Sequence, residues 1–225
     1  MNITVLTGAG ISAESGIKTF RDSNGLWENH DIMEVASPQG WHKNPELVLH
    51  FYNLRRKQLH EVKPNQAHLD LARLEQNHNV QIITQNVDDL HERAGSTNVL
   101  HLHGELFKVR STGDENYIKE WKTDLNIGDT CPKGFQLRPH IVWFGEAVPM
   151  MDKAIELVEK TDVLLIVGTS LQVYPAAGLM QYTPYRSKIF YIDPKPVISS
   201  SKNCTVIPEK ASTGVAKVIG FIDGN

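Results

Sequence analysis

The sequence predicts an α/β fold in which a doubly wound parallel sheet carries a smaller inserted lobe. Four short runs are almost continuously apolar, as expected of parallel strands with both faces buried. Helical patterns separate these runs, and strands that alternate with helices are typical of a doubly wound sheet. The four runs are Ile3–Leu6, Val80–Thr84, Val163–Gly168 and Lys188–Ile192.

Three segments between these runs have helical patterns. Residues 45–62 carry apolar side chains at helical spacing, and Asn44 is placed to cap the helix. Residues 65–76 and 152–159 also favour helices. Residues 105–140 lack any long periodic helix, so we expect them to form a smaller lobe together with residues 18–61. Residues 1–17, 62–104 and 141–225 then form the larger lobe of a single domain.

Composition limits the classes of function. The chain has 225 residues and a net charge of −3, which argues against a general nucleic-acid binder. Two cysteines rule out a disulfide framework and favour a reduced, cytoplasmic protein. We see no leader or membrane-spanning run and expect no membrane association.

Glycines follow the first predicted strand, in Thr7-Gly-Ala-Gly-Ile-Ser12. Glycines at this place allow the backbone to approach a phosphate at a helix N-terminus, although a tight turn without any ligand explains them equally well. The next glycine is Gly16, and this spacing differs from the G-x-G-x-x-G of dehydrogenases. Arg21 follows and is able to pair with phosphate, although a solvated loop arginine is the commoner case.

Polar residues end the other predicted strands. Thr84-Gln-Asn-Val-Asp88 follows the second strand and Gly168-Thr-Ser170 the third. In open parallel sheets such residues meet in a ligand crevice, although Asn and Asp also commonly begin helices. His101 and His103 point to opposite sides of an extended segment, so at most one faces the crevice. Together these features favour a single nucleotide cleft.

The order of these motifs identifies a family. The chain closely resembles the sirtuins, NAD-dependent protein lysine deacylases, over residues 3 to about 215. The resemblance implies a Rossmann-type domain with a smaller zinc-ribbon and helical lobe. The matching segments are Gly8–Ser12, Gly16–Ile17 with Phe20–Arg21, Thr84–Asp88, His103–Gly104, Val142–Glu146 and Gly168–Ser170.

The resemblance also implies roles for single residues. His103 resembles the general base, Asn86 and Asp88 orient the nicotinamide end, and Asp193 stands where the family usually has Asn. Val142, Phe144, Gly145 and Glu146 resemble the strand that pairs with an extended acyl-lysine substrate. The implied NAD contacts are Gly8, Ala9, Gly10, Ile11, Phe20, Arg21, Trp27, Gln85, Asn86, Val87, Asp88, Gly168, Thr169, Ser170, Asp193 and Ala211.

Tyr52 and Arg55 stand at i and i+3, so they share one face of the predicted helix. The desuccinylase branch of the sirtuins has Tyr-x-x-Arg at this place. The resemblance therefore implies removal of succinyl or malonyl groups, with glutaryl and acetyl as further substrates, giving nicotinamide, O-acyl-ADP-ribose and free lysine. Two alternatives are a protein ADP-ribosyltransferase and an NAD-sensing module. We expect the protein to be a monomer.

The cysteine positions predict a lobe without structural zinc. The family usually holds zinc on paired cysteines in this interval, but residues 105–141 contain only Cys131. Ser111 and Gly134 occupy places where cysteines are expected, and neither supplies a thiolate. We therefore expect a degenerate zinc ribbon that is held by packing, with contributions from Phe107, Tyr117, Trp121 and Phe135.

Overall fold

A six-stranded parallel sheet forms the centre of the computed structural model, which describes residues 1–18, 26–27 (backbone only) and 30–224. In chain order the elements are β1 (Asn2–Thr7), α1 (Ala9–Ala13), β2 (Leu26–Trp27), β3 (His30–Asp31), α2 (Ile32–Val35), α3 (Pro38–Lys43), α4 (Pro45–Glu61), α5 (Gln66–Leu74), β4 (Asn79–Thr84), α6 (Leu90–Ala94), β5 (Val99–His101), β6 (Gly104–Ser111), β7 (Ile118–Glu120), β8 (Leu137–Ile141), α7 (Met151–Val158), β9 (Val163–Val167), a 3₁₀-helix (Ala176–Tyr182), β10 (Lys188–Ile192), β11 (Cys204–Ile207) and α8 (Ala211–Asp223).

The predicted fold class is confirmed. The strands of the sheet follow the order β11-β10-β9-β1-β4-β5, and every neighbouring pair is parallel. The chain moves from β1 towards β5 on one side and then from β9 towards β11 on the other. This reversal places a topological switch point between β1 and β9, where open α/β sheets bind their ligands.

Helices cover both faces of the sheet. On one face, α5 and α8 pack against β1, β4 and β9 through apolar side chains such as Leu71 and Val215. On the other face, α7 and the 3₁₀-helix contribute Val158 and Leu179. Because both faces are covered, β9 is buried along its whole length, which explains its continuously apolar sequence.

All three predicted helices form, and two of them have a side-chain cap at the N-terminus. Asn44 Oδ1 accepts a hydrogen bond from the Leu47 amide at 3.0 Å and so caps α4. Asn65 caps α5 in the same way, and its Nδ2 donates to the Ile11 carbonyl at 2.7 Å. This second bond connects α5 to α1, the short helix that follows the glycine turn.

The segments expected in the smaller lobe share apolar clusters. Helices α2–α4 contact β6 and β8 around Phe51, Tyr52 and Trp143. Strands β7, β6 and β8 form an antiparallel sheet that the sequence reading did not identify. Within the described part of the chain, no helix is long and apolar enough to cross a membrane.

Candidate active site

A cavity of about 690 Å³ opens at the carboxyl ends of β1, β4 and β9, beside α4 and the segment after β8. Its volume lies within the range of small-molecule and cofactor sites. Most of the site residues predicted from sequence line it. They are Gly8, Ala9, Gly10, Tyr52, Arg55, Gln85, Asn86, Val87, Asp88, His103, Val142, Phe144, Gly145, Glu146, Gly168, Thr169, Ser170, Asp193 and Ala211.

Four further predicted site residues are not among the described residues that line the cavity. Ile11 is fully buried among core side chains on one face of the sheet, so its side chain does not reach the cavity in the described structure, and its contact with NAD stays a prediction. The place of Ile11 in α1 turns this side chain towards α5 and α8. Phe20 and Arg21 lie outside the described residues, and of Trp27 only the backbone in β2 is described.

Glycines allow two turns to touch at the switch point. A Cβ on Gly8 would lie 2.8 Å from the carbonyl oxygen of Gly168, and one on Gly10 would lie 2.6 Å from the Gly168 Cα. Gly168 itself has a φ of 62°, which disfavours other residues. The Gly10 amide donates to the Gly168 carbonyl at 2.8 Å. The glycines therefore hold the two strand ends close together and leave the floor of the cavity without side chains.

The Asn86 side chain is fixed from several directions. Its Nδ2 donates to the Gly8 carbonyl at 3.1 Å and to Ser12 Oγ at 3.2 Å. The Asn86 amide donates to Thr84 Oγ1 at 3.0 Å. These bonds leave Asn86 one orientation at the cavity wall.

Asp88 is a buried carboxyl beside Asn86. Burial raises its pKa to about 6, against the opposing effect of hydrogen bonds from the Leu90 amide and from Ser12. At neutral pH the group is mainly ionised and lies in the cavity wall. It therefore offers a charged acceptor to the amide group of a ligand.

Ser12 was missed as a site residue. Its hydroxyl donates to Asp88 Oδ2 at 3.0 Å and accepts from Asn86, so it joins the two polar residues. Its only sequence signal was its place at the end of the glycine motif.

His103 presents one ring nitrogen to the cavity. Its Nδ1 donates to the Gln85 carbonyl at 3.0 Å, which leaves Nε2 with its lone pair when the ring is neutral. Burial lowers the pKa of this histidine, so the neutral form dominates at pH 7. His101 does not line the cavity, as the alternation of the two histidines predicted.

The opposite end of the cavity is formed by the ends of β9 and β10. Gln85 Nε2 donates to Thr169 Oγ1 at 3.1 Å and connects the two ends. Asp193 follows β10, and its Oδ1 accepts from the Lys195 amide at 2.8 Å. Ala211 begins α8 beside it. Lys195 and Lys210 also line this end and were not predicted.

Tyr52 and Arg55 line the cavity from α4, and His103 lines the same cavity. Tyr52 is fully buried, and its phenol oxygen accepts a hydrogen bond from Trp143 Nε1 at 3.0 Å. Burial raises the pKa of Tyr52, so its hydroxyl stays protonated. The Arg55 guanidinium lies 5.3 Å from the centre of the Phe51 ring. The cavity therefore has a phenol and a cation on one wall.

Residues 142–146 form no strand by themselves and turn at 144–146, so the pairing of this segment with a substrate stays a prediction. Strand β8 ends at Ile141, and the next residues bend because the Glu146 carboxylate accepts from the Trp143 amide at 2.8 Å. Arg138 holds the same carboxylate through two bonds of 2.8 Å. Glu146 therefore shapes the turn from within, while Phe144 remains 42% exposed at the cavity.

The sequence matches a known family model. Residues 8–175 match the model described as "Sir2 family". The chain belongs to the Sir2 family. A protein named NAD-dependent protein deacylase from Helicobacter pylori is 64% identical over 194 residues, which cover 86% of this chain and 85% of that protein. A protein of the same name from Bacteroides thetaiotaomicron is 55% identical over 224 residues and 96% of both chains.

Solved Sir2 structures have the same fold. A Sir2 homologue in complex with NAD superposes with a TM-score of 0.88 at 40% identity, covering 99% of this chain and 89% of that one. A mutant of a Sir2 homologue in complex with ADP-ribose gives a TM-score of 0.89 at 40% identity, covering 99% and 92%.

In this Sir2-family chain, Ser111 stands where the family usually has a cysteine, and its side chain lies beside that of Cys131. Ser111 Oγ donates to Cys131 Sγ at 3.3 Å, and Cys131 is buried. Among the described residues, no group of three or more His, Cys, Asp or Glu side chains is arranged to hold a metal ion. The absence of structural zinc stays a prediction.

Proposed function

We propose that this Sir2-family protein is an NAD-dependent protein deacylase that removes succinyl and malonyl groups, and also glutaryl and acetyl groups, from lysine. Family membership and the names shared by its curated relatives support the deacylase activity. One observation supports acidic acyl groups. Tyr52 and Arg55 line the same cavity as His103, so a carboxylate at the end of an acyl chain meets a phenol and a guanidinium.

The residues present fit NAD. The cavity is long enough to join the Asp193 end, suited to a ribose, to the Asp88 end, suited to a carboxamide. The glycine floor between them leaves room for the backbone to approach phosphates. Bound NAD supplies the ribose carbon that takes the acyl oxygen when nicotinamide leaves.

The chain's own residues orient the reactants and move a proton. Asn86 and Asp88 are held by Ser12 and present an amide and a carboxylate at one end of the cavity. His103 Nε2 is the group suited to accept a hydroxyl proton, because its Nδ1 is committed to Gln85. Positioning of this kind contributes several kcal/mol to catalysis, to an order of magnitude.

The substrate is proposed to lie as an extended segment against residues 142–146. The Phe144 amide donates to the Ala36 carbonyl at 3.0 Å, and the Glu146 amide donates to the Trp143 carbonyl at 3.0 Å. Gly145, with a φ of 89°, lies between them at the cavity. Because these two amides are bonded within the protein, a peptide would pair with other main-chain groups of this segment, an interaction that does not depend on the peptide's sequence.

The acyl preference is tested by replacing the pair. Tyr52→Phe with Arg55→Met removes both polar contacts and keeps the apolar bulk. We expect kcat/KM for succinyl-lysine peptide to fall by about tenfold to a hundredfold, from the typical value of a charge-assisted contact. Deacetylation of the same peptide sequence should change much less. Steady-state rates with acetyl-, malonyl-, succinyl- and glutaryl-lysine measure this.

Lys57→Met is the matched control, since it removes another cation from α4. Lys57 is exposed, pairs with Asp124 and does not line the cavity. Equal losses of desuccinylation and deacetylation in the double variant would contradict the proposed acyl preference.

The two alternatives differ in their products. ADP-ribosyl transfer yields modified protein, and an NAD-sensing module yields no nicotinamide at all. The pair Tyr52/Arg55 near His103 favours deacylation, because neither alternative needs a carboxylate site. Mass spectrometry of the products, with a nicotinamide-release assay, distinguishes the three.

A further inference from the structure

His101 lies two residues before the proposed base but outside the cavity. It ends β5, and its side chain is 8% exposed. Its Nδ1 lies 3.1 Å from the carbonyl oxygen of Asn86, and its Nε2 lies 2.7 Å from Glu92 Oε1. Both partners are acceptors, so both ring nitrogens must donate. With Glu92 ionised, this is the hydrogen-bond pattern of an imidazolium.

The two histidines hold neighbouring carbonyl groups of one loop. His103 donates to the carbonyl of Gln85, and His101 donates to that of Asn86. The Asn86 amide is bonded to Thr84 and its Nδ2 to Gly8 and Ser12, and the contact from His101 fixes the backbone carbonyl of this residue as well. Two neighbouring carbonyl groups of residues 85–88 are thus held, one by His103, which lines the cavity, and one by His101, which does not.

We propose that His101, kept as an imidazolium by Glu92, is a positioning residue of the deacylation reaction that fixes the Asn86 carbonyl and places a positive charge under Asp88. It touches no reactant and acts through residues 86–88. The proposal rests on the proposed deacylase activity, but the protonation of the ring is measurable without any turnover.

The charges around the ring agree with this assignment. Burial lowers the pKa of His101, but the hydrogen bond and charge of Glu92 outweigh burial and raise it above the usual histidine value. The same contact outweighs burial of Glu92 and lowers the pKa of that carboxyl. The other titratable groups that act on the ring or feel its charge are Glu105, which pairs with Lys108, and the buried groups Asp88 and His91.

Glu92→Gln is the most specific test. The glutamine oxygen still accepts from Nε2, but the side chain no longer carries the charge that keeps the second proton. The neutral ring has one proton, so it no longer donates to the side chain at position 92 and to the Asn86 carbonyl at the same time. We expect kcat/KM for NAD to fall by up to about tenfold and the alkaline limb of the pH profile to move to lower pH. KM for the acyl-peptide should stay the same, and Glu92→Asp should restore most of the rate.

Glu105→Gln is the matched control, because it removes a nearby carboxylate that makes no hydrogen bond to His101 among the described contacts. Its profile should stay close to wild type. An unchanged rate and pH profile in Glu92→Gln would overturn the proposal.

Nitrogen-15 NMR of the His101 ring in the wild-type protein gives a second measurement that does not depend on the variant folding. Two protonated ring nitrogens at pH 7 support the proposal, and one overturns it. If the His101 ring is an imidazolium but the protein turns over no acyl-lysine, the proposed deacylase function is wrong, while the positive charge assigned to His101 is correct.

Discussion

His103 is suited to accept a proton because its surroundings keep it neutral. Burial lowers its pKa, against the hydrogen bond to the Gln85 carbonyl, and none of the described contacts gives it a carboxylate partner. Glu92 lies beside His101 and raises the pKa of that ring, which favours its charged form. The presence of a carboxylate beside His101 and its absence from the described contacts of His103 therefore give the two histidines different roles.

His103→Asn tests the base. The variant keeps a small polar side chain but loses the ring nitrogen that faces the cavity. We expect kcat for deacylation to fall by about 10²- to 10⁴-fold, the usual contribution of general base catalysis. In the wild type, the acid limb of kcat/KM should lie below pH 6.5, because the lowered pKa of His103 keeps its ring neutral above that value. Binding of NAD, followed by calorimetry, should persist in the variant, and retained turnover would exclude His103 as the base.

Elements that depend on local pattern could be predicted from the sequence. Strands β1, β4, β9 and β10 are continuously apolar because they are covered on both faces, and Asn44 and Asn65 mark their helices. The small antiparallel sheet could not be predicted in this way. Its strand β6 mixes charged and apolar residues and pairs with β8, which lies far along the chain. Pairing at such separation leaves no local signal.

The same limits apply within the site. The glycine turn and residues 85–88 were found because short motifs carry them. The direction of the Ile11 side chain could not be predicted, because the motif does not say which way a helical side chain points. Segment 142–146 was identified as the substrate strand from the family resemblance, and that resemblance does not show that the Glu146 carboxylate, held by Arg138, bends the backbone there.

The sheet β7-β6-β8 should fold without metal. Val109, Leu125, Cys131 and Leu137 form a buried cluster with Leu49 of α4, and Tyr117 and Trp121 pack against it as predicted. Phe107 packs on a neighbouring cluster, and Phe135, although 44% exposed, lays its ring against Gly113 of the same lobe. We expect purified protein to hold far less than one zinc per chain by elemental analysis, and EDTA to leave Tm unchanged.

Leu125→Ala provides the contrast. Leu125 is fully buried, so its truncation should lower the free energy of unfolding by about 2–5 kcal/mol. Stoichiometric zinc, or a large loss of Tm in EDTA, would show that metal rather than this cluster holds the sheet.

The molecule as a whole carries several histidines that stay neutral when folded. Burial lowers the pKa of His68 to about 4, and burial with the charge of Arg110 lowers that of His140 to about 4. Burial, with His68 nearby, also lowers the pKa of His91 well below its usual value. In the unfolded chain these groups titrate near pH 6.5, so below that pH the unfolded state binds more protons.

Stability should therefore fall as the pH drops from about 6.5 towards 4. Each histidine that stays neutral in the folded state costs about 1.4 kcal/mol per pH unit over this range. Asp88 acts in the opposite direction, because its pKa is raised to about 6 and the folded state takes up its proton first. Burial also raises the pKa of Asp89, so two carboxyls oppose the histidines. His103 and the lowered pKa values of Glu92 and Glu146 act in the same direction as the three histidines, so the net slope keeps its sign.

Urea unfolding at pH 7, 6 and 5 measures this slope, and His68→Gln serves as the matched variant. His68 is fully buried, and its Nδ1 accepts from the Asn65 amide at 3.4 Å, a bond that a glutamine oxygen is able to replace. In the wild type, the free energy of unfolding should fall steadily from pH 7 to pH 5. In the variant it should fall less per pH unit, by the amount that corresponds to one proton. A free energy of unfolding that stays constant or rises between pH 7 and pH 5 would show that these histidines become charged without unfolding the core.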